Sequence, residues 1–139
     1  MRSAAFVRAL PIRICLPVAV VLALGAIETC QATDLSGCWS GRWYSCTTGH
    51  EGPLKGNFCQ LNDTQYSATF RGRFWKVFPF RFKVVLNVVE DNGEVVTLQG
   101  STYLGRMFGT FYYTATATAT TFNASYSSKK DYGTWVMSR

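Results

Sequence analysis

A chain of 139 residues with a formal net charge of +6 has room for one domain. It is 47% hydrophobic, 15% aromatic and only 16% charged, which excludes a disordered tail, and neither a collagen nor a coiled-coil period is present. One His and eight Asp plus Glu leave little material for acid–base catalysis.

The first element is a leader. Residues 1–13 carry Arg2, Arg8 and Arg13 and no acid, and residues 14–27 are uncharged and almost wholly apolar. That order is a basic region followed by an apolar run of signal-peptide length, short of the roughly 20 residues of a spanning helix. Cleavage after Ala32 puts Cys30 and Ala32 at the two positions a signal peptidase reads; cleavage after Ala26 is the second choice. An uncleaved membrane anchor is the competing reading, and the run is short for it. A lipid anchor on Cys30 has a poor lead-in, Ile27-Glu28-Thr29. The expected mature chain is residues 33–139, secreted or periplasmic, with no stable membrane span after cleavage. It keeps eleven Lys plus Arg against seven Asp plus Glu, a net +4, and loses only Phe6 among the aromatics.

Export implies an oxidising compartment, where a disulfide is the default. Cleavage after Ala32 leaves Cys38, Cys46 and Cys59; cleavage after Ala26 adds Cys30. Cys38 and Cys46 share one apparent strand and would lie more than about 20 Å apart at roughly 3.3 Å per residue. Cys59 is then the partner of one of them across a hairpin, if any pair forms.

From residue 33 onward the pattern is period 2, with turn residues at short intervals. Residues 37–46 alternate Trp39, Gly41 and Trp43 against Cys38, Ser40, Arg42 and Tyr44. Residues 47–53 read as a loop. Residues 54–61 place Leu54, Gly56 and Phe58 on one face, and Tyr66, Ala68 and Phe70 mark a third strand. Residues 74–90 are the longest β signal, with Phe80, Phe82, Val84, Leu86 and Val88 on one side, and Pro79 marking a bend or a strand start. Asp91-Asn92-Gly93 predicts a type I′ hairpin, with residues 94–101 as the return strand. Residues 107–113, 116–127 and 132–138 supply the rest, and the Thr-Ala alternation of 114–121 reads as a strand pair with small side chains. About eight strands with short turns predict an all-β domain, and closure into an antiparallel up-and-down barrel removes the exposed edges. A barrel of that size holds packed side chains or one small ligand.

The first strand contains Gly37-Cys38-Trp39, and the last is Tyr132-Gly133-Thr134-Trp135-Val136-Met137-Ser138-Arg139. This pairing resembles the lipocalin and calycin barrels, whose Gly-x-Trp opens the first strand beneath a basic residue near the last. The resemblance implies that Gly37, Trp39 and Arg139 close the barrel, with Arg139 over the indole face. It covers the architecture of the mature chain, while its motifs cover about a dozen residues. The chain is shorter than typical lipocalins and shows no helix after its last strand. Asp34-Leu35-Ser36-Gly37-Cys38-Trp39 and Tyr126-Ser127-Ser128-Lys129 also resemble a family of small secreted bacterial proteins of unknown function, which implies no activity.

Inward parity predicts Trp39, Trp43, Phe58, Phe70, Phe82, Leu86 and Trp135 as the lining of a site for a small apolar ligand. A second candidate is the stretch 70–83. It holds Arg71, Arg73, Lys76, Arg81 and Lys83 with no acid, interleaved with aromatics that include Trp75. Such a surface suits an anionic glycan or a lipid head group; alternation alone also puts Phe80 and Phe82 in the core and Arg81 and Lys83 in water. An exposed Trp75 would be the sharpest sign of a binding surface. Export and a modest charge disfavour nucleic acid. His50 reads as a solvated loop residue, because Cys46-x3-His50-x8-Cys59 fits no zinc pattern. Glu90, Asp91 and Glu94 cluster at a hairpin, where acids are usually solvated. The sequons at Asn62 and Asn123 are short enough to arise by chance. The expectation is a binding module without cofactor or metal, not an enzyme; a structural or surface-interaction protein with a filled barrel is the alternative.

Overall fold

The computed structural model describes residues 32–139. The expected leader, its alternative cleavage point after Ala26 and Cys30 lie outside the described residues.

Eight strands form one closed antiparallel barrel in sequence order: β1 (Gly37–Ser45), β2 (Glu51–Asn62), β3 (Gln65–Phe74), β4 (Phe78–Asp91), β5 (Val96–Tyr103), β6 (Thr110–Ala117), β7 (Thr121–Ser127) and β8 (Tyr132–Ser138). Strand β8 returns to β1, with Trp43 opposite Trp135, so no edge is left open. The all-β, up-and-down expectation is met. Each strand alternates because one face turns to the barrel interior: β2 buries Leu54, Gly56 and Phe58, and β8 buries Gly133, Trp135 and Met137. Among the described residues every ladder and the whole core fall within residues 35–138, and the ladder closes on itself within that span.

The antiparallel order gives the barrel two unlike ends. The base carries residues 32–36, the turns after β2, β4 and β6, and Arg139. The mouth carries the connections after β1, β3, β5 and β7. Aromatic rings run continuously from one end to the other. Trp39 meets Phe58 at 5.8 Å between centroids, Phe58 meets Phe70 at 5.7 Å, and Phe70 meets Trp135 at 4.6 Å. Such contacts add to the area these large side chains bury.

Several local expectations need correcting. Strand β2 begins at Glu51, so Gly52 and Pro53 are strand rather than loop; Pro53 sits near the strand's first end, where a missing donor is tolerated. The hairpin at Asp91-Asn92-Gly93 exists, but it is not a two-residue type I′ turn. Four residues separate Asp91 from Val96, and only Gly93 has a positive φ, +88°. Asn92 instead accepts hydrogen bonds from the backbone of Glu94 and Val95 through its side chain, and Asp91 accepts one from Gly93. Consecutive positive φ values occur at Trp75 (49°) and Lys76 (61°), where the chain reverses between β3 and β4 and Val77 donates to the Phe74 carbonyl. That is why Trp75 breaks the alternation.

Residues 107–109 are not strand. A single helical turn, α1 (Gly105–Phe108), precedes β6. Gly105 and Gly109 bracket it with positive φ, and the Gly109 amide donates to the Gly105 carbonyl. Leu104, Met107 and Phe108 look like strand residues because they are apolar and closely spaced, yet they cap the mouth.

The expected disulfide is not formed. Cys38, Cys46 and Cys59 are free and exposed. Cys38 faces Asn57, which leaves Cys59 two residues further along β2, a diagonal of about 7–8 Å. That exceeds what a disulfide spans without backbone movement. Cys46 follows β1 at the mouth, while Cys59 lies toward the base.

Candidate functional site

The base half of the barrel is solid. Trp39, Phe58 and Phe122 pack in mutual ring contact over Leu35 and Met137. Arg139 closes this end from outside. Its guanidinium carbon stands 4.5 Å from the Trp39 ring centroid, and its nitrogens donate to the carbonyls of Asp34, Ser36 and Ala119. Trp39 Nε1 donates to the Leu35 carbonyl at 2.9 Å. Gly37, at φ +114°, lets the chain enter β1 beneath the Arg139 side chain, whose Nη1 would stand 3.7 Å from a Cβ at that position.

The mouth half is hollow. A cavity of ≈ 720 Å³ opens there, and ten of its eighteen lining residues are Phe, Trp or Tyr. Of the seven residues expected to line a ligand site, the structure places Trp43, Phe82 and Trp135 on this cavity. Trp39, Phe58, Phe70 and Leu86 are inward too, but they belong to the packed layers below it. Parity identifies them as interior and says nothing of their height along the barrel. Phe74, Phe80, Phe111 and Tyr126 join the lining, as do Leu104, Met107 and Phe108 from the connection around α1. Phe80 was legible as an inward residue, on the face of Phe82 and Val84; the α1 residues were not.

A polar strip runs down one side of the cup. Ser45, fully buried, donates to Asp131 at 2.6 Å, and the Tyr126 hydroxyl donates to the same carboxylate at 3.2 Å. His50 is exposed but not merely solvated. Its Nε2 accepts a hydrogen bond from the Trp75 indole at 2.8 Å, and the rings meet edge-on. Ser45, His50 and Asp131 thus share one cavity, yet the serine is bonded to the carboxylate and the imidazole to an indole. The spacing a nucleophile, its base and an orienting acid require is not what these contacts provide. Lys130 donates to the Met107 carbonyl at 2.7 Å and fastens α1 across the mouth.

Burial raises the pKa of three inner tyrosines, Tyr66, Tyr113 and Tyr126; for Tyr126 the Asp131 charge adds to the effect. Tyr113 stacks on Phe82 at 9° and 6.1 Å, and its hydroxyl is buried without a hydrogen-bond partner. Tyr113→Phe is therefore expected to stabilise the barrel by about 1 kcal/mol at neutral pH. A phenol whose folded pKa exceeds the unfolded value near 10 keeps its contribution below about pH 10 and loses it as pH rises. The fall in stability above pH 10, followed by urea titration at several pH values, should accordingly be shallower in Tyr113→Phe. An equally steep fall would refute this assignment.

The basic residues of the second candidate, Arg71, Arg73, Lys76, Arg81 and Lys83, are all exposed, and so is Trp75. Across the strands Lys55 stands opposite Arg71, and Arg71 opposite Arg81. Like charges directly opposite repel, and the one ion pair among the described residues is elsewhere, Arg42 with Glu51 at 2.9 Å. Arg81 also reaches the rim of the cup. Among the described residues no three His, Cys, Asp or Glu side chains group as metal ligands would, and no helix is long and apolar enough to cross a membrane. Compared with family models, with characterised proteins and with solved structures, the chain matches none.

Proposed function

We propose that this protein is an exported, non-enzymatic, lipocalin-like binding module that takes a small apolar ligand into the cup at its mouth. The cavity of ≈ 720 Å³ walled by aromatic side chains carries the reading. Pockets for small molecules have such volumes and such walls, with a few polar groups to fix orientation. Ser45, Asp131 and Tyr126 are among the polar groups here, already bonded to one another on one side of an apolar wall. In this reading no bond is made or broken, and affinity comes from apolar area removed from water. The alternative of a filled barrel fits the base half alone, where Trp39, Phe58 and Phe122 occupy the interior.

Titration with an uncharged naphthylamine fluorophore tests it. Saturable binding with enhanced emission is expected, and Phe111→Ser should weaken it at least tenfold, since burying a Phe contributes about 1.5–3 kcal/mol. Absence of saturable binding, or equal affinity in Phe111→Ser, would count against a ligand site. Native mass spectrometry of the protein recovered after export would show any retained ligand together with the processed N-terminus.

A further inference from the structure

We propose that the mouth of the barrel docks on an anionic lipid surface, with two projecting connections placing apolar side chains among the head groups. The first connection, between β3 and β4, exposes Trp75 (63%) and Val77 (71%), with Phe78 (58%) beside them at the start of β4. The second, around α1, exposes Tyr103 (64%), Met107 (71%) and Phe108 (48%). Both flank the same opening, since Trp75, Phe78, Met107 and Phe108 also border the cup. Elsewhere, exposed apolar residues such as Leu61, Val89 and Val136 are spread over the walls and the base, an ordinary distribution. A grouped apolar rim marks an interaction surface.

Charge gives the partner its sign. Ten of the eleven Lys and Arg of residues 33–139 lie on the mouth side of their strands' midpoints or in the mouth connections; Arg139 is the exception. Five of the seven acids, Asp34, Asp63, Glu90, Asp91 and Glu94, lie at the base. The mouth half therefore carries +8 and the base half −4. Of the two mouth acids, Glu51 pairs with Arg42, and Asp131 is held by Ser45 and Tyr126. A molecule so polarised turns its mouth toward a negative surface and its base away from it. Lys76 at the tip of one connection and Arg106 within the other sit beside the apolar side chains they would anchor.

The apolar chemistry selects lipid over an anionic polysaccharide. Trp and Tyr can stack on sugars, but Val77 and Met107, the two most exposed of the six, gain from burial only against hydrocarbon. The docked orientation points the open cup at the acyl layer. The docking stands on its own, whatever the cup contains.

Residues 32–139, the complete barrel, are sedimented with vesicles of phosphatidylcholine alone or with phosphatidylglycerol added. Binding to the anionic vesicles is expected, with weakening as salt rises. Trp39, Trp43 and Trp135 are buried, so a blue shift on binding reports Trp75, and Trp75→Phe should remove it. Lys76→Gln should weaken partition about fivefold. Val77→Asp should weaken it at least tenfold while leaving uptake of the naphthylamine fluorophore intact, because Val77 does not line the cup. Loss of fluorophore uptake alone would overturn the ligand reading and leave the docking standing. Failure to bind anionic vesicles, binding without a Trp75 shift, or equal binding to soluble dextran sulfate that Val77→Asp does not alter would overturn the docking.

Discussion

Trp39→Ala is expected to destabilise the barrel by about 4 kcal/mol, and Arg139→Ala by about 2 kcal/mol. Trp39 is 1% exposed and touches Phe58 and Phe122, so its removal leaves a cavity beside two rings already held against each other. Arg139 is exposed, and its three carbonyl acceptors can turn to water when it goes, which keeps its cost below that of a buried ion. What is lost is the joining of three separate pieces of chain: residues 34–36, the β6–β7 turn at Ala119, and the end of β8. Arg139→Lys separates the two contributions. An ammonium keeps the charge over the indole but cannot reach three carbonyls in fork geometry, so about half the loss should return. In a double-mutant cycle the pair should couple by about 1 kcal/mol. Urea unfolding with an unchanged m-value gives each figure. An Arg139→Ala variant within 0.5 kcal/mol of the parent would show that the base is held by packing alone.

Inside and outside were legible residue by residue, because a strand's side chains alternate whatever it pairs with. Trp39, Leu54, Phe58, Phe70, Leu86 and Trp135 all face inward for that reason. Height along the barrel was not legible. It depends on register between strands far apart in sequence, such as Trp43 opposite Trp135, and no local pattern encodes that. Hence three of the seven expected lining residues reach the cup and four lie in the packed layers. Turn type failed for a related reason. Asn92-Gly93 has the composition of a primed turn, yet the Asn92 side chain captures two backbone amides and sets a longer loop. Trp75-Lys76 has no such composition and adopts positive φ because β3 and β4 are already locked in register on either side, Phe74 opposite Phe78. The helical turn at Gly105–Phe108 is four residues long, too short for any periodicity to show.

Gly41→Ala should cost about 3 kcal/mol, the upper end for adding one methyl group to a packed site. At Gly41 the two strands of the closing seam come so near that a Cβ would stand 1.9 Å from the Val136 carbonyl oxygen and 2.6 Å from the Met137 Cα. Both obstacles are backbone, and a Cβ has no torsion with which to avoid them, so β1 or β8 must move. Gly133 repeats the arrangement from the opposite strand, where a Cβ would meet the Tyr44 carbonyl oxygen at 1.9 Å and the Tyr126 hydroxyl at 2.6 Å. The β1–β8 pairing joins the first and last strands of the barrel and closes an eight-strand meander on itself, so either substitution strains the contact that closes the fold. The midpoint of thermal unfolding should fall by roughly 12 °C, at about 4 °C per kcal/mol for a domain near this size. Gly133→Ala has a second consequence. Displacing Tyr126 disturbs its bond to Asp131 and the wall of the cup, so fluorophore affinity should drop in that variant. Gly41 lies nearer the base, and Gly41→Ala should lower stability while leaving affinity unchanged below the melting range. Equal affinity losses in the two variants would mean that seam and cup are one mechanical unit, contrary to the division into a solid base and a hollow mouth.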